Sequence, residues 1–207
     1  MDDAGRTTRG GVARLRRRPV VTLGLLVVAL GLTVGCGNED SDTDTKVSER
    51  LNAALQAHVE GRIAEATDGY RNVLDLDENN KFAIYNLGLI DQTAGGLQSA
   101  EDSYRRVLEI DPDYGPAIFN LAVIRAGLGD AAQAIALYRR VIALDPNNAD
   151  AHLNLGLLLR EQGAIADAEA EIRKAIELKP QIANNPAVAS SSTTTTTAVA
   201  STTTRRK

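Results

Sequence analysis

Between residues 47 and 182, apolar side chains recur three and four apart and then pause at a glycine or a proline, the pattern of short amphipathic helices joined by tight turns. The pattern repeats. Cut into 34-residue lengths with no insertion, VSERLNAALQAHVEGRIAEATDGYRNVLDLDENN, KFAIYNLGLIDQTAGGLQSAEDSYRRVLEIDPDY, GPAIFNLAVIRAGLGDAAQAIALYRRVIALDPNN and ADAHLNLGLLLREQGAIADAEAEIRKAIELKPQI superpose place by place. Place 8 is small (Ala54, Gly88, Ala122, Gly156), place 15 is glycine (Gly61, Gly95, Gly129, Gly163) and place 20 is alanine (Ala66, Ala100, Ala134, Ala168). Place 24 is large: Tyr70, Tyr104, Tyr138 and Ile172. Small residues at 8 and 20 let the two helices of a unit approach closely, glycine at 15 closes the first helix, and the residue at 24 fills the space between units. Pro112, Pro146 and Pro180 stop the second helices. Unit one departs, with Glu78 in the proline's place, Arg50 where a bulky apolar residue is usual, and Gly69 inside its second helix at a cost of about 1 kcal/mol. It is expected to be the loosest.

These residues resemble the tetratricopeptide repeat, over residues 47 to about 182. The resemblance implies an all-α fold, with two antiparallel helices per repeat stacked into a right-handed superhelix, an α-solenoid with a concave groove. The repeats are 47–80, 81–114, 115–148 and 149–182. One unit alone cannot bury its apolar face, and about three are needed for stability.

Asparagine recurs at place 6, as Asn52, Asn86, Asn120 and Asn154, inside runs such as YNLGLI and FNLAVI. At about 100° per residue, place 6 points away from the packing stripe at places 4, 7, 8 and 11 and shares a face with places 2, 5, 9 and 13. That face carries Phe82, Tyr85, Leu89, Phe119, Val123, Leu153 and Leu157. An amide presents a donor and an acceptor together and can pair with a passing backbone whatever its side chains are. The row resembles the asparagine ladder of peptide-binding superhelices of this family, which implies an extended protein or peptide ligand with apolar side chains seated beside the amides. The same row also reads as soluble residues on a concave wall. The family's clamp for a terminal carboxylate, built from Lys and Arg, is absent: Leu51, Tyr85, Pro116, Asp150, Asn120 and Asn154 hold those places.

Charge and composition narrow the partners. Residues 47–182 hold 13 Lys and Arg against 21 Asp and Glu, a net of −8 that opposes nucleic-acid binding. His58 and His152 are far apart in sequence and read as structural; no metal cluster, cofactor motif or catalytic constellation is visible, so the chain is read as not an enzyme. Asp91 and Arg125, both at place 11, are expected to meet as an ion pair.

Upstream, residues 1–35 run from arginines (Arg14, Arg16, Arg17, Arg18) into a mainly apolar stretch from Pro19 to Val34, the plan of a signal peptide or signal anchor. LTVGC resembles a lipoprotein processing site, with Cys36 as the lipidated residue; Thr33 departs from the usual leucine. The alternative is an uncleaved apolar helix holding the membrane. Both place the repeats at the cell membrane on its extracytoplasmic side. Residues 36–46 are expected to be a flexible acidic tether and 183–207 a disordered Ser/Thr-rich tail. The chain therefore reads as a membrane-tethered adaptor or scaffold for an extended segment of an envelope protein. The alternatives are a homotypic assembly module, by self-association, or a non-catalytic subunit of an envelope enzyme.

Replacing Cys36 by Ser is expected to abolish incorporation of a labelled fatty acid and to leave the leader attached. Mass spectrometry finding an intact, unacylated amino end on the wild-type chain would instead establish the signal anchor.

Overall fold

The computed structural model describes residues 39–189. The apolar run before Cys36, Cys36 itself and the tail from residue 190 lie outside them. Eight helices form four antiparallel pairs: α1 (Glu39–Val59) with α2 (Ile63–Leu74), α3 (Lys81–Thr93) with α4 (Leu97–Ile110), α5 (Gly115–Gly127) with α6 (Ala131–Leu144), and α7 (Ala149–Glu161) with α8 (Ile165–Leu178). A 3-10 turn, Pro180–Asn184, and a short helix α9, Pro186–Ala189, follow. Each even helix packs on both the helix before it and the helix after it, so the pairs stack in chain order as a solenoid. No strand occurs among the described residues.

The turn inside each pair is built the same way four times. Gly61, Gly95, Gly129 and Gly163 adopt φ of 77°, 84°, 81° and 80°, the left-handed region that costs glycine nothing. The amide at place 16 then reaches back to the carbonyl at place 11, as in Arg62 to Ala57 at 2.8 Å and Ala164 to Leu159 at 2.9 Å. Together with the place 15 to place 12 bond, this is the Schellman arrangement that satisfies the last carbonyls of a helix.

Within a pair, the helices touch through the small residues. A methyl added to Gly156 would lie 2.7 Å from Ile172 Cγ1 and 3.0 Å from the Ala168 carbonyl; one on Gly88 would lie 2.9 Å from the Tyr104 ring. Between pairs, the place-24 residues Tyr70, Tyr104 and Tyr138 are sealed in, alongside Ile118, Leu155 and Val107. Burying an aliphatic side chain such as Ile118 stabilises by about 1.5–3 kcal/mol.

Polar links join successive repeats. Arginine at place 26 donates to the carbonyl at place 32 of the preceding repeat, Arg106 to Glu78 at 2.5 Å and Arg140 to Pro112. In the fourth repeat Lys174 holds place 26, and the Pro146 carbonyl takes its bond from His152 Nε2 at 3.1 Å. His152 is buried and its Nδ1 lies 2.5 Å from Glu171, a structural role, as is that of His58, whose Nδ1 is 3.1 Å from the Tyr70 hydroxyl.

Four expectations change. Arg125 pairs with the buried Glu101 of α4, which also holds Arg105, and not with Asp91, because Glu101 faces α5 across the seam between repeats where its charge needs a partner. The acidic segment is helical from Glu39 onward: Lys46 pairs with Asp42 at 2.5 Å one turn apart, Ser48 Oγ donates to the Asp44 carbonyl at 2.9 Å, and acids at a helix start are favoured by its dipole. Residues 183–189 are ordered, because Ile182 and Val188 cover Leu153, Ile172 and Ala175, which would otherwise face water. Finally, Gly69 is not a defect. A Cβ there would lie 2.7 Å from Ala54 Cβ, so glycine is what lets α2 reach α1.

Helix propensity alone would have Gly69→Ala gain about 1 kcal/mol. Overpacking at this contact costs about 1–3 kcal/mol. The substitution is therefore expected to lower the urea midpoint of the full chain, and a raised midpoint would show that the two helices separate freely.

Candidate functional site

The odd helices carry the residues of the candidate surface, because places 4, 7, 8 and 11 turn toward the neighbouring helices and leave 2, 5, 6 and 9 outward. The asparagines differ in their surroundings. Asn52 on α1 is exposed, while Asn86, Asn120 and Asn154 are half-buried. Asn86 Nδ2 donates to the Phe82 carbonyl of its own helix at 2.8 Å. Asn120 Nδ2 donates to the Tyr85 hydroxyl of the preceding repeat at 3.1 Å. Burial raises the Tyr104 and Tyr138 phenols, and the neighbouring Asn120 and Asn154 amides offset that rise in part. Asn86 and Asn120 thus each already donate to an internal acceptor. An amide retains further donor and acceptor capacity beyond a single bond.

The apolar members gather into two recesses. Tyr85, Phe119 and Asn120 line one of 430 Å³ between α3, α5 and α7, together with Gly115, Pro116, Asp145, Asn148 and Asp150. Val123, Asn154 and Leu157 line another of 260 Å³ with Tyr138 and Glu161. Aromatic rings stiffen the first. Tyr85 sits with its centroid 5.7 Å from Tyr104 and 5.3 Å from Tyr114, Phe82 lies 6.2 Å from Tyr114, and Phe119 lies 5.7 Å from Tyr138. Such tilted and edge-on pairs contribute about 0.5–1.5 kcal/mol each beyond their burial. Phe82 remains 45% exposed and Leu89 is half-buried.

Leu153 stands apart. It is 8% exposed, covered by Ile182 and Val188, so the chain's own carboxyl-terminal turn occupies the fourth repeat's share of the surface. Place 5 lies at the seam with the next repeat, and where no next repeat exists the turn takes its role. Sequence reasoning also missed Tyr114, Lys81 and Asp111. Lys81 Nζ lies 2.6 Å from Asp111 Oδ2 and 5.3 Å from the centroids of both Phe82 and Tyr114. The available signal was Tyr114 at place 34, where Asn80 and Asn148 instead accept helix-capping bonds from Ala83 and Ala151. Among the described residues no group of three His, Cys, Asp or Glu is placed to hold a metal ion, and no helix is long and apolar enough to cross a membrane.

Comparison with known proteins matches a tetratricopeptide repeat family profile to residues 85–148 and 119–182. No curated protein sequence matches the chain. Among solved structures, the crystal structure of MamA is similar at 22% identity and TM-score 0.59, covering 70% of this chain and 84% of that one. MamA from Desulfovibrio magneticus is similar at 20% identity and TM-score 0.59, over 66% of this chain and 77% of that one. YrrB, described as a TPR protein with an unusual peptide-binding site, is similar at 19% identity and TM-score 0.59, over 69% of this chain and 77% of that one. At these identities the likeness shows a shared fold.

The tyrosines behind the surface give it an alkaline limit. Burial pushes the Tyr70 and Tyr138 phenols up to about 12 and raises Tyr104 as well, against about 10 for an unfolded chain. A raised phenol favours the neutral form in the fold, so its contribution is complete below the unfolded value and is lost as pH rises from about 10 toward 12. The urea midpoint is expected to hold steady between about pH 7 and 9 and to fall beyond about 10, less steeply in Tyr138→Phe. Phenolate absorbance rising without loss of helicity would contradict this.

Proposed function

Because the described helices form a tetratricopeptide-repeat solenoid, we propose that the chain is a non-catalytic adaptor that grips an extended segment of a partner protein along the odd helices. The observation that carries this reading is the recess between α3, α5 and α7, which the Asn120 amide lines together with Tyr85 and Phe119. A peptide backbone needs a donor and an acceptor, and its side chains need apolar walls; this recess offers both. Asn86, Leu89 and Phe82 on one side and Asn154, Val123 and Leu157 on the other extend it. The description of YrrB as peptide-binding is consistent with such a use of the shared fold.

End-to-end self-assembly is less well supported. At the first repeat, place 4 is the polar Arg50, bonded to the Asn72 carbonyl at 3.2 Å, where Ile84, Ile118 and His152 are buried in later repeats. At the last repeat, Ile182 and Val188 cover the terminal face. A polar residue on the first repeat and a covered last face are features of the kind that terminal repeats need for solubility. Attachment to the cell membrane through Cys36 or the apolar run before it, with the repeats on the extracytoplasmic side among envelope partners, belongs to the same proposal. Its support is the sequence between Arg14 and Cys36.

The pair Asn86→Ala and Asn120→Ala tests the grip. Peptides selected from a random display library on the full chain are expected to bind the double variant at least tenfold more weakly, the loss of about 1.4 kcal/mol, with unchanged circular dichroism. Equal binding would remove the amides from the mechanism.

A further inference from the structure

In the second and fourth repeats, the start of the first helix is tied to place 31 by an ion pair. Lys81 at place 1 meets Asp111 at place 31, with its ammonium against the Phe82 and Tyr114 rings. The fourth repeat reverses the charges, Lys179 at place 31 reaching Asp150 at place 2 across 3.1 Å. The third repeat keeps the acid, Asp145, but has Gly115 at place 1 and Pro116 at place 2, neither of which carries a charge. Among the described residues no cation pairs with Asp145; its carboxylate accepts the Asn147 amide at 3.0 Å. Where the lysine side chain would lie, the 430 Å³ recess opens.

Its walls suit what is missing. The Tyr85 and Phe119 rings and the Asn120 amide line the recess, and Asp145 and Asp150 are also in its lining. Here the aromatic faces come from place 5 of two successive repeats, since places 2 and 34 hold Pro116 and Asn148. The volume is more than ten times the roughly 30 Å³ that one water takes up in the liquid, ample for a long side chain. Two carboxylates alone would mark only a solvated acidic edge. The aromatic walls, and the lysine that fills the corresponding corner one repeat earlier, specify a cation on an apolar stem. A cation over an aromatic face and beside a carboxylate gains from both. Lys179 offsets part of the Asp150 charge from outside the recess and leaves Asp145 without a counter-ion.

We infer that the recess between α3, α5 and α7 receives a lysine or arginine side chain of the bound partner segment, supplying in trans the cation that the third repeat lacks. This rests on the reading of the surface as peptide-binding and adds a specificity to it: apolar residues flanking one obligatory basic residue.

The probe is a random peptide display library selected on the immobilised full chain. Wild-type protein is expected to enrich peptides with Lys or Arg at one fixed position relative to apolar neighbours. Asp145→Asn is expected to weaken a selected peptide about five- to tenfold, as does norleucine in place of the peptide's basic residue. Gly115→Lys restores the internal cation, and a Cβ on Gly115 meets no heavy atom within 4 Å, so the variant is expected to fold, which its circular dichroism checks. It is expected to lose the preference for a basic residue while still selecting the apolar ones. Basic selection that survives Gly115→Lys, or apolar peptides selected with no basic position, overturns the cation pocket and leaves the groove standing. A folded chain that selects nothing, both as wild type and with Arg205, Arg206 and Lys207 changed to Ser, overturns both. Selection that appears only after Arg205, Arg206 and Lys207 are changed to Ser would make the chain's own basic residues the occupant and overturn a partner segment in that role.

Discussion

The structure depends on how closely the two helices of each pair can approach. At place 8 the backbone of the odd helix sits against the even helix with no room for a larger side chain: Gly156 has Ile172 and the Ala168 carbonyl within about a methyl's reach, and Gly88 has the Tyr104 ring. The left-handed glycine four times over sets the turn that brings the helices together. Because the contact and the turn recur every 34 residues without insertion, each pair has nearly the same shape, and identical pairs stack.

Stacking then fixes everything further out. The place-24 tyrosines lie between repeats, and their phenols meet place 12 of their own repeat or place 6 of the next, as Tyr104 does with Gln92 at 2.7 Å and with Asn120. Arg106 and Arg140 hold the first and second junctions by bonding a carbonyl one repeat back, and the Glu101 pair with Arg125 buries a charge link at the second. Removing one partner of such a link leaves the other charge desolvated, a larger loss than the pair's own net contribution. The candidate surface inherits this rigidity: Asn120 is oriented by Tyr85, and Tyr85 by Tyr104 and Tyr114.

The same seams explain where reading the chain fell short. The asparagines were legible as a row because place 6 repeats, but their internal bonds were not, since a bond from Asn120 to Tyr85 joins residues 35 apart whose distance depends on the stacking of two units. Leu153 matches Tyr85 and Phe119 in register, yet it is covered, because the segment after Pro180 folds back over the last repeat. The segment carries only two large apolar residues, Ile182 and Val188, too few to mark a helix by periodicity but enough to finish an exposed end. Gly69 looked like a helix defect for the same reason, its justification being Ala54 on another helix.

Local chemistry written in the chain determined the paired helices of the four repeats and their turns: glycine's freedom at positive φ, proline's missing donor and the spacing of apolar side chains all act within a few residues. Which charge meets which, which apolar residues stay open, and which amide is already engaged were decided only by tertiary structure. Those outcomes depend on distances between repeats, and a side chain's neighbour across a seam is set by the packing of two helix pairs and not by its own sequence surroundings. Arg125 finding Glu101, and Asp145 sharing one recess with Tyr85 and Phe119, both follow from that geometry.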